Sequence, residues 1–284
     1  MYLCKRQILW LLIFILISIA YPVAAAEKVM SESFPIGELF EPLIAYPKEI
    51  QFSAGFHKVD SSGRLGKFTA SVVSYGEYFG LLRKRTANDH LWQLSIGGAL
   101  FAQFNMKADS KDLINADYSV GLSATHKHGP LSSRFRLFHQ STHLGDELLL
   151  SGSAPKRVNF SLEGIDFLGA YVWDTFRFYG GAGYLLSVEP KELDRLSLQA
   201  GGEFHDTKLR LFGGRWIGGT DLQAFEGDNW RVNTAVKAGL EFGKPGSGNR
   251  RIRIMLELYD GKSPYGQFYD VEVKSYGFAC YLLF

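Results

Sequence analysis

The chain has 284 residues, enough for one domain or two. Its formal net charge is only +2, which excludes a global basic signal for nucleic acid. Its 2 cysteines exclude a disulfide framework and a zinc-type cysteine cluster.

At the N-terminus, Lys5 and Arg6 precede an apolar run from Ile8 to Ala20, and Ala24, Ala25 and Ala26 follow. This order of charged, apolar and small residues predicts a secretory signal peptide over residues 1–26. The run is short for a membrane anchor, and small residues follow it at once. Cys4 lies ahead of the run, so it is not placed for lipid attachment, and Cys280 is the one cysteine of the mature chain. Cleavage would remove Lys5 and Arg6 and no acid, bringing the formal charge to 0. Residues 27–48 contain Pro35, Pro42 and Pro47 and lack clean alternation. They read as an extended periplasmic lead-in; the alternative is a lumen plug, for which the segment is short.

From residue 49 to the end the pattern is alternation with a period of two. Trp92, Leu94, Ile96, Leu100, Ala102 and Phe104 share one face, with Gln93, Ser95, Gln103 and Asn105 on the other. Val232, Thr234, Val236, Ala238, Leu240 and Phe242 repeat it opposite Arg231, Asn233, Lys237 and Glu241. Such strands show one face to lipid or core and the other to water. Twelve spans are expected: 49–58, 67–82, 91–106, 114–125, 131–141, 157–172, 175–187, 194–205, 207–217, 229–243, 251–260 and 270–284. The spans 67–82 and 157–172 are each long enough to hold two short strands. No apolar run after residue 26 could form a transmembrane helix.

The expected fold is all-β: a single transmembrane, antiparallel, up-and-down β-barrel of about twelve strands over 49–284. A secreted soluble barrel or sandwich is the competing reading. Strand length disfavours it. So do tryptophans at strand ends, with Trp92 and Trp173 expected at the periplasmic rim and Trp216 and Trp230 at the outer rim. An open sheet edge in hydrocarbon would strand unpaired backbone groups, which is why membrane strands close. The last strand alternates Tyr276, Phe278, Cys280, Leu282 and Phe284 with Ser275, Gly277, Ala279, Tyr281 and Leu283. Its terminal aromatic resembles the assembly signal of outer-membrane barrels. The expected location is the outer membrane of a Gram-negative bacterium, with both termini periplasmic. The expected partners are outer-membrane lipids, lipopolysaccharide and the barrel-assembly machinery, and no nucleic acid.

Four segments carry a family resemblance: Phe40 to Lys48 (FEPLIAYPK), Leu113 to Tyr118 (LINADY), His139 to Glu147 (HQSTHLGDE) and Tyr259 to Phe268 (YDGKSPYGQF). Together they resemble an uncharacterised domain-of-unknown-function family of bacterial outer-membrane proteins. The resemblance spans nearly all of the mature chain. It implies location and barrel class and supplies no activity.

Parity places Arg134, Arg136, Glu163, Arg177, Glu203, Lys237, Glu241, Arg251, Arg253 and Glu257 on the inward faces. Charges of both signs suit either a polar channel that selects solutes or a lumen filled by internal ion pairs. A barrel of this size is narrower than open porins, which favours the filled lumen. The main expectation is therefore a narrow pore or a structural or surface-interaction barrel.

The alternative is an outer-leaflet lipid acyl hydrolase. Phe135 and Leu137 face outward, so His139 and Ser141 do too, close enough for an imidazole to approach the hydroxyl. A His-x-Ser pair on the outer wall resembles outer-membrane phospholipase A, whose set is Ser–His–Asn, and Asn159 would be the third member here. The phospholipase continues Ser-Asn-Gly, whereas Thr142-His143-Leu144-Gly145 follows here, and parity turns Asn159 inward. The loop residues His143, Gly145, Asp146 and Glu147 form the rest of that motif. Two adjacent carboxylates fall far short of a calcium shell, so no cofactor or resident metal is expected; calcium enters only with the hydrolase reading. His126 and His128 sit by a Gly-Pro turn and read as a solvated turn, with metal binding the alternative.

Overall fold

The computed structural model describes residues 29–62, 66–150 and 158–284. The expected signal peptide over 1–26 lies outside the described residues. After a four-residue strand β1 (Met30–Ser33), the chain forms β2 (Phe52–Ser61), β3 (Lys67–Arg85), β4 (Leu91–Asn105), β5 (Leu113–His128) and β6 (Leu131–Leu144). A five-residue helix α1 (Asp146–Leu150) follows. Then come β7 (Ser161–Trp173), β8 (Phe176–Glu189), β9 (Leu196–Leu211), β10 (Gly214–Phe225), β11 (Val232–Gly243), β12 (Arg251–Lys262) and β13 (Glu272–Leu283). From β2 to β13 each strand pairs antiparallel with its sequence neighbour, and β13 returns to β2, so twelve strands close. Closure leaves no barrel edge unpaired in the wall.

Alternation explains the wall. In β12, Arg251, Arg253, Met255 and Glu257 are buried inside, while Ile252, Ile254, Leu256 and Leu258 are exposed outside. In β13, Tyr276, Phe278 and Leu282 point out, and Ala279, Tyr281 and Leu283 point in. An apolar exterior around a charged interior inverts the arrangement of a water-soluble domain.

The spans 67–82 and 157–172 are single strands, β3 and β7, and β3 absorbs one register shift between Gly80 and Leu82. The largest boundary shift lies between β9 and β10. The turn expected at residue 206 falls at Phe212 and Gly213, both with positive φ (54° and 82°). A two-residue hairpin turn needs left-handed backbone, which Gly213 supplies and His205-Asp206-Thr207 does not. As a result β10 runs to Phe225, and the loop expected over 218–228 shrinks to residues 226–231. Trp216 therefore sits at the end bearing the short turns, the same end as Trp92 and Trp173, and not at the opposite rim.

The segment before β2 is not an external lead-in. β1 pairs with Leu82–Arg85 of β3, the edge that β2 leaves free. The chain then turns into the lumen. Phe40, Leu43, Ile44, Ala45 and Glu49 are all nearly fully buried. Phe40 and Leu43 pack against Leu168, Ala170 and Tyr179; Ile44 packs against Ile217, Met255 and Tyr281; Ile50 packs against Ala99 and Phe101. The segment is short for a plug, but its apolar residues extend three apolar clusters of the inner wall.

Candidate functional site in the lumen

Polar contacts hold this plug at its mouth, middle and tip. At the end bearing the short turns, Arg83 donates to the carbonyls of Ile36 (3.2 Å) and Gly37 (2.7 Å). Glu38 accepts from Gln93 and Ser95, each at 2.7 Å. Gly37 has φ of 77°, and a Cβ there would lie 2.5 Å from the Gly248 nitrogen, so the close approach needs glycine. Burial pushes the Glu38 carboxyl up to about 7, despite the lowering effect of its hydrogen bonds and of Arg83.

In the middle, the Phe40 ring lies between two guanidiniums, 4.9 Å from Arg134 and 4.4 Å from Arg177. Arg134 pairs with Glu49 at 3.0 Å, both side chains almost wholly buried. Glu203 binds Arg177 at 3.1 Å and accepts the Ile44 amide at 2.6 Å. Glu241 gathers Arg215, Arg251 (3.4 Å) and Arg253 (2.7 Å), and Arg251 reaches back to Glu41 at 3.2 Å. The plug carboxylates Glu41 and Glu49 thus each meet a wall arginine, the arrangement that makes buried charge tolerable. A second cluster joins Glu257 to His57 (3.0 Å) and to Lys237 (3.4 Å), with Lys237 donating to Tyr281 at 2.6 Å.

At the tip, Asp117 of β5 is the meeting point. Its carboxylate accepts from Lys48 (2.7 Å), Asn115 (3.1 Å), the Gly266 amide (3.1 Å) and the Thr142 hydroxyl. The loop over 263–271 folds inward to make this possible. Gln267 is buried, accepting from the Val158 amide at 3.1 Å and donating to the Val158 carbonyl at 2.7 Å. The Tyr265 ring sits 5.0 Å from the Lys48 ammonium. All four segments that carry the family resemblance therefore meet here: Lys48, Asn115 and Asp117, Thr142, and Gly266. Sequence reasoning missed Lys48 and Asp117, because an acid and a base 69 residues apart give no local signal.

Arg134, Arg136, Arg177, Glu203, Lys237, Glu241, Arg251, Arg253 and Glu257 are buried on the inner face. Glu163 is not among them. It is exposed on the outer face, directly opposite His139. Asp166 is the inward acid of that strand, binding Arg136 at 2.6 Å. The ladder pairs Phe135 with Phe167, which puts odd-numbered β7 residues outside and corrects the expected parity. The same correction turns Asn159 outward; it is exposed, ahead of β7, beside buried Phe160.

On the outer wall His139 and Ser141 lie two apart on β6, opposite Glu163 and Ser161. Among the described residues no side-chain hydrogen bond joins His139, Ser141 and Asn159. His143 stands edge-on to Tyr118, with centroids 5.6 Å apart. Gly145 is buried under β5, its amide donating to the Ile114 carbonyl at 3.1 Å, and Asp146 and Glu147 occupy the first turn of α1. At the opposite rim His90 stacks on His128, and its Nδ1 lies 2.9 Å from His126 Nε2. Stacked rings do not converge on one ion, and no metal-binding group of three ligands occurs among the described residues.

The fold and its filled lumen define a closed antiparallel twelve-strand β-barrel with an N-terminal plug. The chain belongs to the family described as "Protein of unknown function (DUF1207)", which it matches over residues 17–284. No curated protein matches it in sequence. Its structure is similar to outer membrane phospholipase A from Escherichia coli, with a TM-score of 0.56 and 10% identity over 87% of this chain and 94% of that one. The calcium-bound outer membrane phospholipase dimer of Salmonella typhi gives 0.55 and 11%, with the same coverage. At these identities the likeness is one of fold.

Proposed function

We propose that the protein is an integral outer-membrane β-barrel with both termini periplasmic, held shut by its own N-terminal segment. It acts as a structural or surface-interaction barrel and not as an open pore. The apolar exterior and the aromatic residues at its rims support the membrane location. On this reading lipid and lipopolysaccharide surround the wall, and Phe284, whose exposed ring meets Phe52 at 5.6 Å, ends the strand read by the assembly machinery. The observation that carries the closed state is the plug itself. Phe40 and Glu49 of the plug lie against Arg134, while the wall acids Asp166 and Glu241 engage Arg136 and Arg253. Planar-bilayer recording tests it. Wild-type protein should be silent at low voltage, and Glu49→Ala with Phe40→Ala should give discrete openings. Steady conductance by the wild type would sink the closed reading and favour a narrow, charge-selective pore.

The ladder favours one second reading, an outer-leaflet lipid acyl hydrolase. His139 and Ser141 share the outer face with Glu163 and Ser161 directly across. Ser141 would be the nucleophile and His139 its base, with Asn159 or the Glu163 carboxylate orienting the imidazole. Calcium belongs to this reading alone. Hydrolysis of phospholipid and lipid A by the refolded protein, with and without calcium, decides it. Turnover abolished in Ser141→Ala and in His139→Ala supports it, and no turnover by a folded barrel removes it.

A further inference from the structure

At the loop end of the barrel, above the tip of the plug, lies a cavity of about 380 Å³. Tyr46, Pro47 and Lys48 form its floor, the loop from Ser263 to Asp270 covers one side, and strands β6 to β12 contribute the remaining walls. Its volume falls within the range of small-molecule sites, roughly 300–1,000 Å³. None of the contacts described so far requires an empty space of this size.

Its chemistry is specific. The charged side chains cancel: Lys48, Arg136, Arg195 and Lys262 against Asp166, Asp194, Asp228 and Asp270. The cations are already engaged. Lys48 holds Asp117, Arg136 holds Asp166, Arg195 donates to the Leu185 and Leu186 carbonyls (3.1 and 2.9 Å), and Lys262 donates to the Asp270 carbonyl (2.9 Å). An ionic ligand would have to break one of these pairs. The spare groups are acceptors and a free amide. Gln199 and Gln223 both give their NH₂ groups to Asp221, at 2.6 and 2.8 Å, which leaves their carbonyl oxygens over. Asp228 Oδ2 is buried without a partner, and the Gln140 side chain has no hydrogen-bond partner among the described residues. An acyl chain would leave all of these unpaired, at a cost for each. Between them stand the rings of Tyr46, Phe138, Phe160 and Tyr265. A ligand that donates hydrogen bonds from its edges, bears no charge and offers C–H faces to aromatic rings is a saccharide.

We propose that this cavity is a binding site for a neutral saccharide of one or two rings. The test is ligand-observed saturation-transfer NMR on the full barrel in detergent-free lipid nanodiscs. The probes are glucose, maltose and N-acetylglucosamine, with galacturonate and decanoate as competing chemistries. At least one neutral sugar should bind saturably at millimolar concentration. Gln140→Leu should weaken it about tenfold, the scale of one lost buried hydrogen bond. Phe138→Ala should also weaken it, whereas Leu256→Ala on the outer wall should not. Retained heat-dependent gel mobility shows that each variant still folds. The proposal is overturned if no neutral sugar binds the folded wild type, if galacturonate or decanoate binds in preference, or if Gln140→Leu binds as well as the wild type.

Discussion

Strand β6 serves two regions at once, and they are built differently. Its inward residues Arg134, Arg136 and Thr142 each hold a partner: Glu49 of the plug for the first, and for the others Asp166 of β7 and Asp117 of β5, directly opposite on the neighbouring strands. Its outward residues His139, Ser141 and His143 make no side-chain hydrogen bond among the described residues, although Glu163 and Ser161 stand opposite the first two. Period two puts both sets on one strand, but only the inner set faces a space too narrow to leave a charge alone. The lumen is therefore where stability is concentrated, and the outer wall is where substitutions should be silent unless they touch chemistry.

The sharpest way to break this contrast is Glu49→Ala, which leaves Arg134 buried without its carboxylate. A loss of roughly 3–5 kcal/mol is expected in urea unfolding of the lipid-embedded barrel. Leu43→Ala, at the floor of the apolar cluster with Leu168 and Tyr179, should cost about 2–5 kcal/mol by the same measurement. The mouth of the plug offers a pH test. Folding raises the Glu38 carboxyl from 4.5 to about 7, so the docked state holds a proton that the undocked chain releases. Docking should thus be firmest at pH 4.5 and below, weaken as pH rises towards about 7, and change little above that. Amide exchange over residues 34–51, corrected for intrinsic rates, should follow this trend in the wild type and lose it in Glu38→Gln. Smallest of all, Ser141→Ala and Glu163→Gln should change stability by no more than about 0.5 kcal/mol. A large destabilisation from either would mean that the outer wall is structurally coupled and would erase the distinction between the two faces.

Much of the wall was legible in advance. Val232 to Phe242 alternates so cleanly that its inward Lys237 and Glu241 follow from side-chain direction alone, although the strand begins at Val232 and not at residue 229. Legibility failed where a position depends on something other than period. The β9–β10 turn lies away from its expected position because the alternation does not mark where a left-handed residue permits reversal; Gly213 does. Glu163 and Asn159 lie on the face opposite to the expected one because the loop before β7 hides its phase, and one residue of slip reverses every side chain.

The sequence by itself determined a closed barrel of about twelve strands and most of its inward charge, because both are written in a local two-residue repeat. Only the tertiary structure decided that residues 34–51 turn back into the lumen, that Lys48, Thr142 and Gly266 converge on Asp117, and that a neutral cavity remains beside them. Those contacts join groups separated by 25 to 149 residues, from Thr142–Asp117 to Gly266–Asp117. They arise because closing the barrel creates a confined interior in which buried charges need ion-pair or hydrogen-bond partners, a condition that no stretch of sequence carries on its own.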